Sequence, residues 1–147
     1  MNNRGGFVIF SIVMLLFVSC GGAQNSGKTS WSPTELQGDY SYTHQGDTIT
    51  LQLKADGDSL SGPLIYSFLE KDRNQGTFQG VIKDSLLMGT YRFQSEGMYS
   101  SRQTVFQISP EGLLEGFGEV RHQDATAVFV DPENLRFDHG MLLEKEQ

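Results

Sequence analysis

From Leu36 onward, apolar and polar residues alternate in short runs, and turn-forming residues interrupt the alternation every few positions. Tyr40 and Tyr42 alternate before His44-Gln45-Gly46-Asp47, and Ile49, Leu51 and Leu53 before Ala55-Asp56-Gly57-Asp58. Leu60, Leu64, Tyr66 and Phe68 keep one parity up to Glu70-Lys71-Asp72-Arg73-Asn74. Phe78 and Ile82 precede Lys83-Asp84-Ser85, and Leu87, Tyr91 and Phe93 share a face before Ser95-Glu96-Gly97. Thr104, Phe106 and Ile108 lead to Ser109-Pro110-Glu111-Gly112, Leu113, Leu114 and Phe117 to Arg121-His122-Gln123-Asp124, and a last run covers Ala125 to Val130. Period two over such runs is the signature of strands with one buried face, and no stretch sustains a helical period.

Eight strands joined by short connections predict sequential antiparallel pairing, an up-and-down meander. Closing that meander into a barrel removes its exposed edges, and eight staves enclose an interior that side chains fill or that holds one small ligand. Gly62, Gly80, Gly89 and Gly118 fall inside the runs, where a tightly coiled barrel needs close backbone approach. The expected fold is therefore all-β, a single eight-stranded antiparallel barrel, with an open sandwich of the same strands as the alternative. Asp131-Pro132-Glu133 reads as a helix start, an N-cap Asp with Pro in the first turn, so a short C-terminal helix or a ragged tail should follow.

The amino end is patterned differently. A basic start with Arg4 precedes about a dozen apolar residues, Phe7 to Val18, then Ser19 and the single cysteine, Cys20. That run is well short of the roughly 20 residues a membrane-spanning helix needs, and it reads as a secretory signal. A retained anchor and an ordinary non-lipid signal are the alternatives. Gly21 to Ser32 is rich in Gly, Ser, Asn and Thr and reads as a flexible tether with a reach of roughly 20 Å. The expected division is 1–19 signal peptide, 20–35 lipidated Cys and tether, and 36–147 barrel domain.

Phe17-Val18-Ser19-Cys20 resembles the lipobox of bacterial lipoproteins, with Phe17 where leucine is usual. The resemblance implies that Cys20 becomes the first residue of the mature chain and carries the lipid, palmitate among its acyl chains. Several acyl chains would hold a protein firmly at a membrane. Gly21 stands where an Asp would mark inner-membrane retention in enterobacterial lipoproteins, which by analogy implies the outer membrane. Leu36-Gln37-Gly38-Asp39-Tyr40, followed by the meander, resembles the calycin barrels (lipocalin-like and avidin-like domains), with Tyr40 in the place of their usual Trp. A further resemblance is to small anchored barrel domains of bacterial envelopes, particularly those of the Bacteroidetes. Together these imply a lipid-anchored envelope protein with a cup-shaped domain; they imply no ligand.

Losing residues 1–19 removes one base and no acid, which takes the formal charge from −7 to −8. An acidic chain without a basic cluster argues against nucleic acid as a partner. His44, His122 and His139 lack paired ligand spacing, so no metal site is expected. Asp56-Gly57-Asp58 starts like a calcium loop, but Ser61 and Ser67 stand where Gly and Glu are required. No nucleophile elbow or phosphate-cradling loop is present, so neither an enzyme nor a cofactor is expected.

Parity points to one candidate site. Glu70 continues the face of Leu64, Tyr66 and Phe68, and Arg102 shares the parity of Thr104, Phe106 and Ile108. An inward Arg102 among Tyr66, Tyr91 and Tyr99 could grip a carboxylate bidentately. Alternatively Glu70 and Arg102 pair with each other, or twist into solvent. The polar rim segments around Arg73 and Glu96 are candidates for partner contacts, with solvated hairpin ends as the plainer alternative. Two functions follow as expectations. One is a cup for a small, partly apolar, anionic ligand. The other is a solid barrel whose rim docks an envelope protein, as in anchored lysozyme inhibitors or assembly and stress lipoproteins.

Overall fold

The alternation becomes strand after strand. In the computed structural model, which describes residues 30–71, 73–95 and 97–147, six strands follow one another: β1 (Gly38–His44), β2 (Asp47–Asp56), β3 (Ser59–Ser67), β4 (Asn74–Lys83), β5 (Leu86–Ser95) and β6 (Met98–Ser109). A short β7 (Gly112–Glu115), a hairpin β8 (Val120–Gln123) and β9 (Thr126–Phe129), and β10 (Leu142–Lys145) complete the chain. Strands β1 to β7 pair in sequence, and β10 inserts between β7 and β1, so eight antiparallel staves close on themselves. The expected all-β, eight-stranded antiparallel barrel is the observed architecture.

The eighth stave is not the expected one. The run Ala125 to Val130 does form β9, but β9 pairs with β8 and meets β6 in parallel only at Ser101 and Arg102. The reason lies in the faces. β8 is exposed at all four positions, whereas Leu143 in β10 is fully buried and supplies the apolar inner residue that a stave needs. Gly118 accordingly lies outside any strand, in the departing segment. The expected helix after Asp131 is absent. Asp131 Oδ1 accepts from the Glu133 amide at 3.1 Å, but the backbone of Arg136 is already bonded in both directions to Phe117 at 2.9 Å. Too few residues remain between them for a helix to propagate.

Inward side chains fill most of the barrel. Leu51, Leu60, Leu64, Phe78, Leu87, Phe106, Leu113 and Leu143 are all fully buried, and Phe78 meets Phe106 edge-on at 5.6 Å. Gly80 and Gly89 face each other across β4 and β5. A Cβ on either would lie 2.7 Å from the tip of Phe78 and closer still to strand backbone, so the pair is what admits that ring.

Staves reverse direction, so the β1–β2, β3–β4, β5–β6 and β7–β10 connections share one end, here termed the mouth. The Asp47 carboxylate accepts from the Leu69 amide at 2.7 Å and ties two of these connections together. The opposite end is shut by α1 (Pro33–Leu36), whose capping box joins Ser32 and Glu35. Leu36 is buried in the core, Trp31 packs on it, and the Leu36 carbonyl accepts from the Tyr40 hydroxyl at 2.8 Å. Trp31 and all of α1 but Leu36 fall within the 20–35 segment expected as tether, and both pack on the barrel. Cys20 and the signal segment lie outside the described residues.

Candidate functional site

Four aromatic rings climb from the filled core to the mouth. Phe68 and Tyr66 stand 6.0 Å apart, Tyr66 and Tyr91 5.6 Å, and Tyr91 stacks on Phe93 at 4.7 Å. Strand parity places three of them, Tyr66 on β3 and Tyr91 and Phe93 on β5, and Phe68 follows directly on the end of β3. Arg102, opposite Tyr91 in the β5–β6 register, lays its guanidinium 5.0 Å from the Tyr66 ring and 5.6 Å from the Tyr91 ring. Cation–π attraction and a buried stem both favour that pose.

The partner of Arg102 is Glu115, at the end of β7. Arg102 Nη2 donates to Glu115 Oε1 at 3.1 Å, and the Tyr66 hydroxyl donates to Glu115 Oε2 at 2.7 Å. This trio crosses the barrel lumen from β3 to β7 and β6. It forms the floor of the mouth and the lid of the apolar core. The Glu115 side chain is 5% exposed and that of Arg102 35%. Burial pushes the Glu115 carboxyl above its ordinary range, against the opposing pull of Arg102, the Tyr66 hydrogen bond and His139. Burial likewise pushes the Tyr91 hydroxyl up to about 12, with Arg102 opposing, so it stays protonated.

Above the trio lies a cavity of about 320 Å³. Tyr66, Arg102 and Glu115 make its floor, Phe68, Phe117 and Met141 its apolar wall, and Asp47, Lys71 and Asn74 its polar rim. That volume is at the lower end of small-molecule sites. Two buried polar atoms on its lining residues have no hydrogen-bond partner: Arg102 Nε, a donor, and Asn74 Oδ1, an acceptor. The hydroxyls of Tyr91 and Thr104 are also buried and unpartnered, but neither residue lines the cavity.

Of the residues expected at a ligand site, Tyr66 and Arg102 come together and Tyr91 stands behind them. Glu70 does not join them. It is exposed in the β3–β4 turn at a φ of 59°, because the chain leaves the strand at Phe68 and parity ends there. The acid that pairs with Arg102 is Glu115 instead. Tyr99 is also excluded, being 85% exposed and of opposite parity to Arg102 on β6. Arg73 is exposed on the mouth turn, and Glu96 lies outside the described residues. Sequence parity held the missing signals: Glu115 alternates with Leu113 and Phe117, and Asn74 with Gly76 and Phe78. Met141 gave none, since it precedes a strand that was read as tail.

Fold and site define a class: a small closed barrel, solid through most of its length, with a polar and aromatic mouth at the end away from its entering chain. Comparison with protein-family models, with characterised proteins and with solved structures finds no match to this chain.

Proposed function

We propose that this chain is a bacterial envelope lipoprotein, anchored through Cys20 in the outer membrane, whose barrel mouth binds a small, partly apolar molecule bearing an acidic group. The observation that carries the binding role is the Arg102 guanidinium on the floor of the mouth cavity, a half-buried side chain whose Nε has no partner. A buried donor left unmade costs free energy, and a guanidinium edge suits a carboxylate. Glu115 takes one N–H of the fork, on Nη2. The filled core beneath confines the ligand to the mouth, so a long acyl chain has no place to run.

A second function is favoured by a different observation. Leu69, Met98 and Tyr99 are 64%, 72% and 85% exposed on two neighbouring hairpins at the mouth end. Such exposed apolar groups suit a docking rim, and the acidic chain suits a basic envelope partner such as a lysozyme. One experiment separates the two. Native mass spectrometry of the chain isolated from its own envelope should show a small adduct that denaturation releases and that Arg102→Gln lacks. No adduct, together with a captured protein that Tyr99→Ser no longer holds, would transfer the function to the rim.

A further inference from the structure

Among the residues that line the mouth cavity, the charges balance. Arg102 is paired with Glu115 on the floor, and the rim carries one acid, Asp47, and one base, Lys71. A simple carboxylate entering there would leave net negative charge beside a buried carboxylate, which is costly unless something neutralises it. The two unpartnered buried atoms on the cavity's lining residues are of opposite kind: Arg102 Nε needs an acceptor and Asn74 Oδ1 needs a donor. A ligand satisfying both carries an anionic acceptor and a cationic donor on one small frame. The third component of the wall is apolar, formed by Phe68, Phe117 and Met141.

We infer that the mouth binds a free α-amino acid with an apolar side chain, as the zwitterion, with its carboxylate on Arg102 Nε and its ammonium on Asn74 Oδ1. This rests on the proposed ligand-binding role and narrows it from an acid to a zwitterion. The side chain lies against Phe68, Phe117 and Met141, where burial supplies affinity and the polar pair supplies orientation. Aromatic and Met side chains suit flat or branched groups of modest size. The zwitterion brings no net charge, so the Arg102–Glu115 pair persists in the complex.

Calorimetric titration of the purified full chain with three probes tests it: phenylalanine, 3-phenylpropanoate, which lacks the ammonium, and phenethylamine, which lacks the carboxylate. Phenylalanine should bind at least about tenfold more tightly than either truncated probe, the effect of one charge-assisted hydrogen bond. Asn74→Leu removes no side-chain hydrogen bond among the described residues, and it should erase the preference over 3-phenylpropanoate while keeping the preference over phenethylamine. Equal binding of phenylalanine and 3-phenylpropanoate would overturn the zwitterion and leave the acid-binding role intact. Binding of none of the three at millimolar concentration would overturn both.

Discussion

Glu115 is the residue on which the mouth depends, because it meets a guanidinium and a phenol at once in a nearly dry setting. Its carboxyl is held above the ordinary range chiefly by burial, so ionising it costs the folded state more than the unfolded one, where it titrates near about 4.3. The sign follows directly: a raised folded pKa gives stability that is present at low pH and lost as pH rises through the folded value. Urea midpoints measured from pH 4 to pH 8 should therefore fall for the wild type relative to Glu115→Gln as pH increases. Parallel profiles would show that Glu115 ionises freely in the folded chain. Arg102 was legible by parity because β6 is long and regular, and its inner face is marked by Phe106 and Ile108. Glu70 misled because alternation was carried past Phe68 into a turn, where side-chain direction no longer obeys period two.

At the scale of elements, the seven consecutive staves were readable from alternation and turn chemistry, while the closing one was not. β10 is four residues long and presents one fully buried apolar position, Leu143, which is too short a pattern to separate from a ragged tail. The hairpin β8–β9 carried the louder apolar run, yet its exposed β8 cannot serve as an inner wall. Non-local pairing made the choice, since β10 bridges β7 and β1 from the far end of the chain. Closure by β10 predicts a contrast between two deletions of apolar side chain. Leu143→Ala should cost about 2–5 kcal/mol in urea unfolding. Val120→Ala, on the exposed hairpin strand, should stay within about 0.5 kcal/mol. Comparable losses at the two positions would contradict the assignment of the eighth stave.

For the whole molecule, the arrangement of ends has functional weight. The chain enters through α1 at the shut end, near the β2–β3 and β4–β5 turns, and the mouth opens at the opposite end. A lipid on Cys20, as proposed above, would join the chain on the α1 side of the barrel. The core between the two ends is solid, so the mouth cavity does not reach the base. The central claim is that the mouth, and no other surface, receives the ligand. Methyl NMR of methionine-labelled protein tests it most directly, because Met141 lines the mouth while Met88 lies on the groove beneath the β8–β9 hairpin. On titration with phenylalanine or 3-phenylpropanoate, the Met141 methyl should shift and show contacts to the probe's ring while Met88 stays still. A silent Met141, or a response confined to Met88, would contradict the account.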